Sequence, residues 1–374
     1  MVERPAGKRH ARPGPDRPED DRAGADEADA GRPVTLRDVA GEAGVSLATA
    51  SRALSEGPRS VRADLRGRVF DAAAKLHYLP KASARSAVRD GSRIVSLVVS
   101  DLEDPYFSSI ATGVIDAAAR DGLRVIVDIT RREPRREAEV IEQAAAQRSR
   151  ALIFVGSRYG GKDVTARLVD ELTAFERSGG RVVLVSQSGL PFDTIVPDNR
   201  PSAAALARTL VDIGYRRFAV LGHSPQSVGS SERLDGFIDG LRMLGIEVPE
   251  SRILRGEDGF DSGYRMAETL VEDGLGDTEL VFAVSDTLAL GAMAALRARG
   301  VSTPERVGVA GYGGTSIGPY RPADQVTTVQ FALRETGAQA YGLAVRSRAD
   351  GERSVVSLPA TIVVRGSTPG IVRD

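Results

Sequence analysis

From Ile94 to near the end of the chain, short runs of consecutive apolar residues alternate with longer amphipathic stretches. The runs Ile94 to Val99, Arg124 to Ile129, Ala151 to Val155, Val182 to Val185, Phe218 to Leu221, Leu280 to Val284 and Val307 to Ala310 read as strands. Stretches near Ile110 to Arg120, Glu137 to Gln147, Ser202 to Ile213 and Leu288 to Ala298 read as helices. A strand without polar alternation is buried on both faces, and strands that alternate with helices pair in parallel under helical cover. About eleven such units exceed what one compact sheet holds, so the pattern predicts an α/β body of two lobes with parallel sheets.

The segment before this body has a different texture. Residues 1–32 contain almost no large apolar side chains. They cannot offset the entropy lost on ordering and read as a disordered tail. His10 lies there with no companions at metal-ligand spacing. From Val34, Leu36, Val39, Ala40 and Ala43 recur at helical spacing, with Thr35 as N-cap, Asp38 completing a capping box and Gly44 as the stop. Ser46 then caps a second helix with Ala50, Ala53 and Leu54 inward. A third, from about Ala63 to Leu76, presents Leu65, Val69, Ala72, Ala73 and Leu76 on one face.

Charge follows the same division. Residues 32–93 carry 12 basic and 6 acidic side chains, whereas residues 94–374 carry 32 basic and 37 acidic. A compact cationic module suits a polyanion, because displaced counterions drive binding to phosphate. Charge alone leaves a merely solvated face open. The 374-residue chain has no cysteine, which excludes disulfides, thiolate metal sites and cysteine nucleophiles. Its start has no apolar signal core, and no apolar run approaches the roughly 18 residues of a membrane span. The expectation is a cytoplasmic protein with no membrane partner.

Two short capped helices joined by a Gly-containing turn, within the one cationic segment, have the form of a helix-turn-helix. In that geometry the second helix, Ser46 to Leu54, enters the major groove. Leu47 and Ala48 face bases, Thr49 and Ser51 reach phosphate or base, and Arg52 addresses a guanine edge or a phosphate. An ordinary helical hairpin is the alternative on pattern alone.

The residues themselves carry a resemblance. VTLRDVAGEAGVSLATASRALSEGP (Val34 to Pro58), the helix through Tyr78 and LPKASARSA closely resemble the lactose/galactose-repressor (LacI/GalR) family of bacterial transcription regulators. The likeness continues in DPYF (Asp104 to Phe107), PDN (Pro197 to Asn199), SERLDGF (Ser231 to Phe237), SDTLALGAMAAL (Ser285 to Leu296) and VTTVQ (Val326 to Gln330).

The resemblance implies a helix-turn-helix DNA-binding domain over 33–79 and a hinge over 80–92. A two-lobed, periplasmic-binding-protein-like body over 93–374 follows, which binds an effector and dimerises. It implies a homodimer on a near-palindromic double-stranded operator, a repressor role and allosteric control by a small polar effector such as a sugar or nucleoside. Thr35 belongs with the DNA-facing residues. In the hinge, Arg85 is kept, but the leucine that relatives wedge into the minor groove is Ala87 here. A methyl group fills less of an opened base step, so kinking is expected to be weaker, or Val88 substitutes in part.

Open α/β sheets bind ligands beyond the carboxyl ends of their strands. Tyr106 and Phe107 follow the first strand and offer ring faces. By resemblance, Arg233 forks ligand oxygens, and Asp286 accepts from ligand hydroxyl or amine groups. The alternative is that Arg233 and Asp286 serve as structural caps or as an interlobe ion pair. Ser186 stands where many relatives have aspartate, and Tyr312-Gly313-Gly314 replaces Phe-Asp-Asp; Asp258 and Phe260 lie near a ligand-facing loop. These departures keep open a second reading, a ligand-independent regulator of the same fold.

No cofactor is expected. The first body strand leads into SDLEDPYF rather than a Gly-x-Gly-x-x-Gly turn, no Walker lysine motif is present, and His77 and His223 lack catalytic or metal constellations. The chain therefore reads as a regulator rather than an enzyme. A solute-binding protein of the same body would need an export signal and no head. The C-terminal RGSTPGIVRD lacks leucine heptads, which favours a dimer over a tetramer.

Overall fold

The computed structural model describes residues 34–54, 61–76, 78, 92–156, 158, 160–224, 227–314, 326–346 and 353–371. The chain forms two compact units, Met1–Arg89 and Asp90–Asp374.

In the first unit, α1 (Leu36–Ala43), α2 (Leu47–Leu54) and α3 (Ala63–Lys75) enclose a small core of Val39, Ala40, Ala43, Ala50, Ala53, Val69, Ala72 and Ala73. Asp38 accepts from both the amide (2.7 Å) and the hydroxyl (2.6 Å) of Thr35, which fixes the start of α1. Gly44 ends it in the left-handed region, φ 62°. That conformation turns the chain within two residues, and the Ser46 hydroxyl accepts from Thr49 N to open α2. Arg68 donates to the Ala43 carbonyl at 2.6 Å, tying α3 to the end of α1.

The second unit has two lobes. In the first, β1 (Ile94–Val99), β2 (Arg124–Ile129), β3 (Ala151–Val155), β4 (Val182–Val185), β5 (Asp193–Pro197) and β11 (Val355–Leu358) form a sheet in the order β2-β1-β3-β4-β5-β11. Every pairing is parallel. Both faces are buried: in β3, Ala151, Ile153 and Val155 join one apolar cluster, while Leu152 and Phe154 join the other. Helices α4 (Pro105–Arg120), α5 (Pro134–Ala146), α6 (Lys162–Arg177) and, from late in the chain, α11 (Leu333–Val345) belong to this lobe.

The other lobe is built on β6 (Phe218–His223), β7 (Ile253–Gly256), β8 (Leu280–Ala283) and β9 (Gly308–Ala310), in the parallel order β7-β6-β8-β9. It carries α7 (Asn199–Asp212), α8 (Val228–Arg242), α9 (Phe260–Glu272) and α10 (Asp286–Ala298). An antiparallel ribbon of β10 (Thr328–Phe331) and β12 (Ala360–Val363) extends its edge through bridges Ala310↔Thr327 and Gly313↔Gln330. Unlike the two parallel sheets, this ribbon is antiparallel, because the chain leaves for the first lobe after β10 and returns along it as β12. The chain crosses between lobes three times, at Asp198, Ala332 and Pro359. Among the described residues, no helix is long and apolar enough to cross a membrane.

Candidate functional site

Burial of Ala50 and Ala53 fixes which face of α2 looks outward. Ser46, Leu47, Ala48, Ser51 and Arg52 are exposed on that face, Thr49 is half-buried, and Leu47 leaves 46% of its surface uncovered. Leu47 is therefore not part of the head's core. Arg52 Nε donates to the Ala48 carbonyl at 3.0 Å and lies along its own helix. Thr35 is exposed, but its hydroxyl is engaged by Asp38. Arg85, Ala87 and His77 lie outside the described residues.

In the second unit, a cavity of about 70 Å³ lies where the strands of both lobes end at their carboxyl sides. Asp104, Tyr106 and Phe107 reach it after β1, Arg132 after β2, and Gly156 after β3. From the other lobe come His223 at the end of β6, Asp258 after β7, Ser285 to Thr287 after β8, and Tyr312 and Gly313 after β9. Arg233 lines it from α8. Tyr106, Phe107, Arg233, Asp258 and Asp286 are thus brought together as the sequence predicts. Ser186 is not among the lining residues: it is buried at the end of β4 and donates to Gln187 Oε1 at 2.7 Å, so the expected contact is corrected to a loop-shaping one. Phe260 is also absent from the lining and is exposed at the start of α9.

Arg233 is held on three sides. Its Nε donates to Asn199 Oδ1 at 3.0 Å, Nη1 donates to the Val284 carbonyl at 3.1 Å, and the guanidinium lies 4.4 Å from the centre of the Tyr312 ring. Tyr312 is fixed in turn by Ser202, 2.6 Å from its hydroxyl, and burial pushes its pKa up to about 12, so it stays a neutral donor. Asp286 is 4% exposed and accepts from Thr328 Oγ1 at 2.6 Å, while its amide donates to the Tyr312 carbonyl at 2.9 Å. A side chain at Gly311 would collide with the Asp286 carboxylate, so the Gly-Tyr-Gly-Gly turn passes only as glycine there. Among the described residues Arg233 and Asp286 form no ion pair with each other.

An ion pair spanning the lobes is made by different residues. Arg132, from the first lobe, pairs with Asp258 of the second, and His223 Nε2 lies against the same carboxylate. Arg131 and Arg132 both hold positive φ, 52° and 61°, which turns Arg132 toward the other lobe. Burial, then the charges of Arg132 and Arg233, lower the His223 pKa to about 3, so the imidazole is neutral. Burial also raises the pKa of Asp104, whose carboxylate caps α4 by accepting from Tyr106 N at 2.9 Å. The cavity therefore mixes two guanidiniums, three carboxyl groups, a neutral imidazole and aromatic faces. Such a set offers donors, acceptors and ring faces with which several directed hydrogen bonds to one small molecule can be made.

Two family profiles match this chain. "Bacterial regulatory proteins, lacI family" covers residues 35–81, and "Periplasmic binding proteins and sugar binding domain of LacI family" covers residues 92–349. The chain belongs to the LacI family. The transcriptional regulator GalS of Salmonella typhimurium is 30% identical over 84% of this chain and 90% of its own length. The transcriptional repressor CytR of Escherichia coli is 28% identical over 90% of this chain and 96% of its own. The fold is also that of the lac repressor dimer bound to operator, with a TM-score of 0.71 and 24% identity over 90% of this chain and all of that one.

Within this LacI-family chain, sequence reasoning missed Arg132, Asn199 and the His223–Asp258 contact. Asn199 had a signal, the PDN triplet at a lobe crossing. Arg132 had none, because its role depends on two consecutive positive-φ residues that no local turn residue announces.

Proposed function

We propose that this LacI-family chain is a homodimeric, ligand-controlled transcription regulator, acting as a repressor in the cytoplasm on a near-palindromic double-stranded operator. One observation carries the reading: a single chain joins an outward-facing α2 in a cationic helical head to a polar cavity at the carboxyl ends of two parallel sheets. In this reading residues 33–79 are the DNA-binding domain, 80–92 the hinge and 93–374 the effector-binding and dimerising body; the tail expected over 1–32 lies outside the described residues. Leu47, Ala48, Thr49, Ser51 and Arg52 read the major groove, Thr35 and Ser46 set the helices on the backbone, and Arg85 and Ala87 act from the hinge. Tyr106, Phe107, Arg233, Asp258 and Asp286 hold a neutral, hydroxyl-rich effector, a sugar or nucleoside. The relatives' names, a transcriptional regulator and a transcriptional repressor, support this assignment and speak against enzymatic turnover. The lac repressor dimer on its operator supports the dimer.

Control follows from linkage. An effector changes operator affinity only through different affinities for two lobe arrangements, and the operator must change effector affinity by the same factor. The test is selection of a preferred duplex from a random pool with the purified full chain, followed by titration of that duplex with and without a panel of sugars and nucleosides. The expected result is a preferred inverted-repeat sequence whose affinity shifts with one ligand class. No preference for any duplex over random competitor at moderate salt overturns the reading.

A second reading, a regulator of the same fold that needs no effector, is favoured by the cavity itself. At about 70 Å³ it is far below the roughly 300 Å³ at which small-molecule sites begin, with Arg132 and Asp258 bridging the lobes. A thermal-shift panel separates the two readings, because a competent cleft raises the melting temperature with its ligand.

A further inference from the structure

The first-lobe sheet has a second polar edge, opposite the effector cavity. At the amino ends of its strands stand Arg124, the first residue of β2, Arg93 before β1, and Arg148 and Arg150 before β3. Arg124 N donates to the Arg93 carbonyl and Arg150 N to that of Ile94, both at 2.8 Å, so the backbones of Arg93, Arg124 and Arg150 are neighbours across three adjacent strands. With strands about 4.8 Å apart, the row is roughly 10 Å long. All four are exposed, and among the described residues none of them forms an ion pair. Of the carboxylates nearby, Asp193 is paired with Arg181 and Glu176 with Arg353, while Asp121 accepts from the neutral Tyr341 hydroxyl and keeps its charge.

Arg148 and Arg150 border a groove of about 590 Å³ with Ser92, Ser149, Ser178 and Gly179. Arg148 holds φ 54° just past the end of α5, where glycine is the least strained choice. A long cation kept in that conformation is an outlier of the kind that marks function.

We propose that this arginine row is a second nucleic-acid contact, in which the body grips the phosphate backbone of the DNA that the head reads. It rests on the function proposed above. Guanidiniums suit phosphate through charge and paired N–H donors, and 10 Å of duplex axis carries about six phosphate charges. The contact reads no sequence; it adds affinity and salt dependence alike on every duplex.

The test uses the full chain and the duplex that it selects, with a random 30-bp duplex alongside. The variant Arg148→Asn with Arg150→Ser keeps an αL-tolerant residue at 148 and removes both charges. The slope of log affinity against log salt is expected to fall by about 2. Affinity is expected to drop about 30-fold at 0.15 M salt on both duplexes, the factor for two released counterions relative to 1 M. Arg148→Lys with Arg150→Lys is expected to keep the slope, which a purely structural role of the guanidiniums would not allow. An unchanged slope in the charge-removed variant, with Arg52→Ala still abolishing sequence preference, overturns this inference and leaves the regulator intact. A changed dimer mass with an unchanged slope overturns it by assigning the groove to a second copy. If the unmodified chain binds neither duplex, both proposals fall.

Discussion

Arg233 illustrates how one side chain is prepared by others. Asn199 takes Nε, the Val284 carbonyl takes Nη1, and Tyr312 supports the plane of the fork, so the remaining donors face the cavity with little freedom left to lose. A lysine has no plane to stack and no fork to hold. Arg233→Lys is therefore expected to weaken effector binding about 10- to 100-fold, the range for hydrogen bonds to charged groups. Calorimetry with the ligand found by thermal shift is the check, and an unchanged affinity would separate Arg233 from the ligand. His223 makes a different prediction. Its folded pKa of about 3 lies below its ordinary 6.5, so between those values the unfolded chain binds a proton that the folded chain refuses. Stability from this residue is complete above about pH 6.5 and falls as the pH drops toward 3, by up to about 1.4 kcal/mol per pH unit. His223→Gln is expected to show a smaller loss of denaturation midpoint between pH 7 and pH 5 than the unmodified chain. Equal losses would show that the imidazole is not held neutral. At this scale the sequence was informative where a residue's place follows from its strand end, as for Tyr106, Phe107 and Asp286. It misled at Ser186, because the end of β4 turns into Gln187 and draws the hydroxyl inward.

Elements meet here through glycine. A Cβ at Gly113 of α4 would overlap the Arg334 carbonyl, and one at Gly337 of α11 would overlap the Ile110 carbonyl. The same reciprocity joins α9 and α10 through Gly263 and Gly291, and Gly236 and Gly240 seat α8 on α7. These helix pairs pack backbone to backbone, and any side chain at the seam must push them apart. Gly337→Ala is expected to destabilise the body by about 1–3 kcal/mol, as overpacking does. Gly342→Ala, on the same helix with nothing near its Cβ, is expected to stabilise it by about 0.5–1 kcal/mol. Denaturant midpoints at constant slope decide between them, and equal effects would refute the seam. None of this was legible in the sequence, because glycine inside an amphipathic pattern lowers a helix reading without naming the surface it meets. The caps of α1 and α2 were legible, since Thr35, Asp38, Gly44 and Ser46 act within a few residues. Among strands, the long apolar runs were found, but β5, β7 and β10 to β12 are short and carry polar or exposed positions that no run betrays.

At the scale of the whole body, the alternation of strands and helices was enough to foresee two lobes, whereas the way the lobes touch depends on Arg132 and Asp258. Their side chains are 30% and 32% exposed, so the pair is partly solvated and its worth is at most about 1 kcal/mol. That is small for stability yet large for a balance between two lobe arrangements, where 1.4 kcal/mol is a factor of ten in population. Asp258→Asn removes the charge that Arg132 bridges to while keeping the side-chain shape, and it leaves Arg132 facing a neutral amide. The open arrangement is then expected to gain population severalfold, and an effector that must enter a cavity of about 70 Å³ should associate faster. The absence of cysteine makes the measurement direct: Asp163→Cys on the first lobe and Arg265→Cys on the second give unique labelling positions for single-molecule energy transfer. A shift of the distance distribution toward longer separations in Asp258→Asn, reversed by saturating ligand, is the expected outcome. Identical distributions in variant and parent would show that closure is set by the crossing segments at Asp198, Ala332 and Pro359 rather than by this pair.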